Sequence, residues 1–319
     1  MPLKHSLIDL EHFGTCDASA AVPVGPALFV VANDEDNVLR VFHSDISGPP
    51  VQTFDLKDCL SSETDGEADI EGGTWLGDRV YWITSHARSK KGKMEASRYQ
   101  FFAVEFVPRE DDLEMRCVGK PYTRLLDVML ADPALEPFGL KAASELPPKE
   151  KGALNIEGLC ATPDGSLYVG FRNPIPNGKA LVVPLENPAE MVEGDADAKL
   201  GTLFQLDLGG LGIRSMKYWR RRKTYMIVAG RFGGDEPGEQ GEPSVLYRWS
   251  GNTDEPPVRV EGVDLSDLNP EAQVIYPQQE SAFQIISDDG TAEVDGKQCK
   301  KAGEAQRRFR SRWLSLPPF

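Results

Sequence analysis

Asp69-Ile70-Glu71-Gly72 leads through a turn into Arg79-Val80-Tyr81-Trp82-Ile83, and Asn155-Ile156-Glu157-Gly158 leads in the same way into Ser166-Leu167-Tyr168-Val169-Gly170. Each copy has an acidic or amide residue, Ile, Glu and Gly, and then a strand of β-branched and aromatic residues. Looser copies flank these two. Asn269-Pro270-Glu271-Ala272 precedes Ala282 to Ile286, Gly212-Ile213-Arg214-Ser215 precedes Thr224 to Val228, and Asp17-Ala18-Ser19-Ala20 precedes Ala27 to Val31. The starts at 17, 69, 155, 212 and 269 are separated by 52, 86, 57 and 57 residues, which fits a unit of four short strands.

Third and fourth strands follow in most units. They are Val38 to Phe42 and Val51 to Leu56, Gln100 to Val107 and Glu114 to Val118, Ala180 to Leu185 and Gly201 to Leu208, and Ser244 to Trp249 and Val258 to Val263. The last unit offers only Arg308 to Leu316, so Ser6 to His12 at the other end of the chain is expected to complete it and close a ring. Closure matters because an open sheet edge exposes unpaired backbone groups. Radial repetition of four-stranded sheets is one way to limit that exposure. The expected fold is therefore an all-β β-propeller filling 1–319, with five blades, or six if the 86-residue interval hides strands. Within that interval Thr123 to Leu130 has helical apolar spacing and Pro133, Pro137, Pro147 and Pro148 follow, which predicts a helical insertion at 121–151.

Composition agrees. The 24 prolines and 30 glycines among 319 residues suit short strands and turns, and 40% hydrophobic residues supply a core. With 50 acidic against 35 basic residues the net charge is -15, which repels a polyanion, so nucleic acid is not an expected partner. The five cysteines are widely spaced without a C-x-x-C pair, which argues against a disulfide framework or zinc site and for a reducing, cytoplasmic setting. Neither a signal-like apolar run nor a stretch of about 18 apolar residues appears, so no membrane partner is expected.

In such a ring the first residues of the inner strands, the loops after the second strands and the inter-blade connections share one face. Asp17, Glu71, Glu157, Arg214 and Glu271 should thus meet at the axis. Crowded carboxylates must protonate, pair with an arginine or bind a cation. Glu71, Glu157 and Glu271 are the candidate metal ligands, with Ca²⁺ the natural ion for an oxygen-rich site. Arg172 and Arg214 are candidates for positioning a substrate, with His86 as a candidate base. Arg88, Asn173, Arg231 and Asp289 lie on the expected rim as substrate-binding candidates. Arg220-Arg221-Arg222-Lys223 reads as a solvated turn.

The segments Asp69 to Gly72, Thr84-Ser85-His86-Ala87-Arg88, Arg98-Tyr99, Asn155 to Gly158, Gly170-Phe171-Arg172-Asn173-Pro174, Gly178-Lys179-Ala180-Leu181 and Gly212 to Ser215 together resemble the bacterial family called domain of unknown function 3616. The resemblance runs from about Ala27 to Asp289 and implies a propeller-like fold with no established activity. Ile156-Glu157-Gly158-Leu159 also resembles propellers of the esterase-like phytase and calcium-dependent lactonase type, which implies a calcium role for such a glutamate. The expected function is a calcium-assisted hydrolase of a small anionic ester, a phosphoester or lactone. The alternatives are a non-catalytic platform for a protein or ligand, and a glycoside hydrolase using channel carboxylates.

Overall fold

The computed structural model describes residues 8–61, 66–110, 112–148, 150–231 and 243–318. Strand β1 (Ile8–Phe13) precedes five repeats. Blade 1 is β2 (Ala18–Val24), β3 (Leu28–Asn33), β4 (Val38–His43) and β5 (Gln52–Asp55). Blade 2 is β6 (Ile70–Leu76), β7 (Arg79–Thr84), β8 (Phe101–Pro108) and β9 (Leu113–Tyr122). Helices α1 (Leu125–Ala131) and α2 (Leu140–Ser144) follow. Blade 3 is β10 (Asn155–Ala161), β11 (Leu167–Asn173), β12 (Ala180–Leu185), helix α3 (Pro188–Glu193) and β13 (Phe204–Leu206). Blade 4 is β14 (Gly212–Trp219), β15 (Thr224–Gly230), β16 (Val245–Trp249) and β17 (Val258–Arg259). Blade 5 begins with β18 (Pro270–Val274) and β19 (Ala282–Ser287). A small hairpin of β20 (Glu293–Val294) and β21 (Lys297–Gln298) comes next, and β22 (Arg308–Ser315) completes the chain's own share.

All five blades are four-stranded antiparallel sheets, and the last has the order β1-β22-β19-β18. Six blades are therefore excluded; the long interval holds the two helices and not a hidden sheet. The ring closes through β1, whose Ile8 to Phe13 pair antiparallel with Trp313 to Arg308. The closing strand thus ends one residue beyond the expected Ser6 to His12, and Ser6 lies outside the described residues. Arg312 of β22 grips Asp9 of β1 with two hydrogen bonds of 2.7 Å, which adds a charged clasp to the ladder.

The inner strands β2, β6, β10, β14 and β18 neighbour one another in a circle. Each blade is sandwiched between two others, so both of its faces are apolar. In β7, Val80 and Trp82 pack toward blade 1 while Tyr81 and Ile83 pack toward blade 3. This is the two-residue alternation of a strand with both faces buried. Five apolar clusters result, one at every blade interface. The insertion joins this core, since Leu125, Leu126, Met129, Leu140 and Ala143 are buried against blades 2 and 3.

The cysteines require a correction. Cys16 is bonded to Cys299, and Cys59 to Cys117. Wide spacing in sequence hid two pairs that the ring brings together, and the argument for a reducing compartment goes with them. Cys160 alone is free and is buried. Among the described residues no helix is long and apolar enough to cross a membrane.

Candidate functional site

Every inner strand is interrupted at the same place. The register slips between Ala18 and Ala20, Ile70 and Gly72, Ile156 and Gly158, Ile213 and Ser215, and Pro270 and Ala272. The bulged residues are Ser19, Glu71, Glu157, Arg214 and Glu271, one per blade. A β-bulge re-aims its side chain. Ser19, Glu71, Glu157 and Glu271 line one narrow space at the hub. The blade 1 member is Ser19 and not Asp17, which sits one step earlier on the same mouth. The glycine of the Glu-Gly pair has a packing reason. A Cβ on Gly72 would lie 2.8 Å from both Ile83 Cγ2 and Leu159 Cβ, and one on Gly158 would lie 2.9 Å from Gly170 Cα. Inner strands can approach this closely only without side chains there.

Two of the three glutamates are already neutralised. Arg172 Nη1 donates to Glu157 Oε1 at 2.6 Å, and Asn155 Nδ2 donates to the same oxygen at 2.9 Å. Arg214 pairs with Glu271 and donates to Asn269 Oδ1 at 2.6 Å, while its Nε lies 3.7 Å from Glu157 Oε2. Glu71 has no hydrogen-bond or ion-pair partner among the described residues. Burial, and then the charges of Glu157, Asp69 and Glu271, hold its carboxyl well above the usual carboxylate range. Asp69 precedes it in a left-handed conformation, φ 58°, pinned by Arg98 Nη1 at 2.5 Å.

Further out on the same mouth, carboxyl oxygens of Asp17, Asp34 and Glu35 lie within 4.8 Å of one another. Asp34 Oδ1 is buried with no hydrogen-bond partner. Burial, then Asp288, Asp69, Asp17 and Glu271, push the Asp34 carboxyl well up. Asp17 is pushed up to about 6, first by burial and then by Glu35. The cations nearest this group, Lys90 and Lys300, stand 3.4 and 3.7 Å from Glu35 Oε1. A hard cation bound by oxygen would relieve the repulsion, and the donor set fits calcium better than a softer metal.

The remaining expected site residues separate into three groups. Arg172 and Arg214 reach the hub, as above. Arg231 directly follows β15 at the rim and accepts a 3.5 Å contact from Arg172 Nη2 on its carbonyl, and Asn173 is buried at the end of β11. The others serve the scaffold. His86 is fully buried, with Nδ1 2.8 Å from the Thr84 carbonyl and its ring edge on Tyr99, and burial lowers its pKa to about 4. Arg88 ties the insertion down by donating to the carbonyls of Ser144 at 2.9 Å and Gly92 at 3.1 Å. Asp289 is clamped by the Arg310 guanidinium at 2.9 and 2.7 Å, by the Arg310 backbone N–H at 2.8 Å and by Ser287 Oγ at 2.9 Å. Asp34 and Glu35 carry no ligand signature in the sequence, because nothing in the four residues between β3 and β4 signals which carboxyl will lack a partner.

Fold and hub together define a five-bladed propeller with an acidic mouth. The family described as "Protein of unknown function (DUF3616)" matches residues 108–279, and the chain belongs to it. No curated protein matches. Among solved structures, the allergen Mala s 1 of Malassezia sympodialis is 12% identical with a TM-score of 0.50, covering 97% of this chain and 96% of its own. A putative oxidoreductase (glucose dehydrogenase) of Thermus thermophilus is 12% identical at TM-score 0.47, covering 97% of this chain and 100% of that one. The glutaminyl cyclase of Myxococcus xanthus is 12% identical at TM-score 0.46, covering 99% and 100%. At such identities the likeness shows the fold alone.

Proposed function

We propose that the acidic mouth binds a divalent cation of the calcium type and uses it to hydrolyse a small ester or lactone. The observation that carries this reading is the group of Asp17, Asp34 and Glu35, with Asp34 Oδ1 buried and unpartnered beside them. Buried carboxylates normally have partners, and here a cation would be the partner. These three residues would hold the ion, with Glu71 below them, in place of the trio Glu71, Glu157 and Glu271. When bound, such a cation polarises a carbonyl oxygen or lowers the pKa of a bound water.

Arg172 and Arg214 do not act as a free anion clamp in this arrangement. An anionic ester would have to compete with Glu157 and Glu271 for them. A neutral ester or lactone has no such competition, so the reading narrows to that substrate class. His86, sealed in the blade, does not serve as the base.

The test is calorimetric titration of chelator-treated protein with Ca²⁺ and Mg²⁺, with melting followed in parallel. Saturable Ca²⁺ binding, a raised Tm and at least about tenfold weaker binding by Asp34→Asn are expected. No heat and no thermal shift would end the cation reading. Calcium binding without calcium-dependent turnover of a lactone and aryl-ester panel would leave a calcium-binding protein and remove the hydrolase.

A further inference from the structure

The opposite mouth of the channel has the reverse character. A funnel of about 1040 Å³ opens there, between the far ends of the inner strands. Its charged lining residues are Lys217, Arg220, Arg221 and Lys223, and no Asp or Glu lines it among the described residues. That is a local excess of four cations in a chain whose net charge is -15. Partly exposed apolar groups, including Trp75, Leu76, Ile275 and Tyr218, form the walls. The turn Arg220–Arg222 is therefore more than a solvated connection. Arg222 folds over the Trp219 ring at 4.4 Å, while Arg220, Arg221 and Lys223 stay exposed at the rim.

Lys217 is the informative residue. It lies on inner strand β14 and lines both the funnel and the narrow hub space, so it sits where the two meet. Its Nζ donates to the Gly73 carbonyl of blade 2. No carboxylate pairs with it among the described residues, and Glu280, 3.7 Å from Arg221, stands outside the lining. An ammonium group placed in a recess without a counter-ion is costly unless something supplies one. A ligand entering from this side would.

We propose that this funnel is a second binding site, for a small amphipathic carboxylate whose head pairs with Lys217 and whose apolar body packs on Trp75 and Ile275. The exposed cations of the rim steer the anion inward. The cavity's size and mixed lining are those of small-molecule sites, in which apolar walls surround a few placed polar groups. The site opens on the face away from the acidic mouth and needs no metal.

Binding of phenylacetate and of octanoate, measured by calorimetry at neutral pH in the presence of chelator, tests this. The uncharged control is phenylacetamide. At least one acid should bind saturably below about 10 mM, the amide about tenfold or more weaker. Lys217→Met should weaken the acid by about tenfold or more, and Lys217→Arg should retain most of the affinity. Melting curves of both variants separate loss of the site from loss of the fold. Burial lowers the Lys217 pKa to about 8, so affinity should fall as pH rises through that value. Of the titratable groups facing Lys217, Cys160 is pushed up to about 12 and stays neutral over the range, and the carboxyls of Glu71, Glu157 and Glu271 line the hub space on its other side. No saturable binding by either acid would overturn the proposal. So would equal binding of acid and amide, or binding indifferent to a folded Lys217→Met protein but lost on Glu71→Gln.

Discussion

His12 makes the ring closure sensitive to acid. It lies on β1, fully buried, with its ring stacked on Phe309 at 4.9 Å and edge-on to Phe29 and Phe42 at 5.2 Å each. Nε2 is 2.8 Å from Ser311 Oγ, which also accepts from Gln284 Nε2 at 2.7 Å. Nδ1 has no hydrogen-bond partner. A second proton therefore has nowhere favourable to go, and burial lowers the pKa from 6.5 to about 4. The folded state thus binds fewer protons than the unfolded state between these values, so stability is full above pH 6.5 and is lost as pH falls toward 4. At 1.36 kcal/mol per pH unit the loss reaches about 3 kcal/mol, or about 5 °C in Tm for a chain of this length. The perturbation is His12→Gln, which keeps an amide near Nε2 and cannot titrate. Its packing cost is the same at every pH, so the measurement is the difference in Tm from the wild type at pH 7.5 and at pH 4. The gap should narrow by about 5 °C, or reverse, on acidification. A gap of constant size would refute the assignment of this acid sensitivity to His12.

Three further outcomes follow from the packing. Arg214→Met should cost about 3–5 kcal/mol in chemical denaturation, because it strands Glu271 beside Glu157 in a buried hub. Replacing both Cys59 and Cys117 by serine should lower stability by up to about 4 kcal/mol, from the entropy of a loop with a sequence separation of 58 residues; an unchanged urea midpoint would contradict the bond's role. Gly72→Ala should cost about 1–3 kcal/mol, since its Cβ meets Ile83 and Leu159 at 2.8 Å, and a neutral result in the same assay would show that the inner strands can separate.

The repeat phrase was legible because each blade solves the same local problem. Ile enters the blade interface, the next side chain must face the axis, and the residue after it must be small. Ile70-Glu71-Gly72 and Ile156-Glu157-Gly158 spell this out, and the starts inferred from them fall within one residue of β2, β6, β10, β14 and β18. The helical insertion and the borrowed closing strand were readable for the same reason, through local periodicity and one missing strand. Which residue each bulge points at the hub was less so: Asp17 has the more conspicuous charge, but the register places Ser19 there.

The rest depended on distances around a ring, which no stretch of sequence contains. Cys16 and Cys299 are 283 positions apart and bonded. Arg172 and Arg214 read as a substrate clamp until the structure set them against Glu157 and Glu271. The sequence places Asp34 at the mouth and says nothing of Lys217, and only their surroundings show that one has no hydrogen-bond partner and the other no counter-ion among the described residues. Local sequence fixes the period of burial and hence the blade. Whether a charge is satisfied depends on groups brought from other blades, and that is decided only when the circle closes.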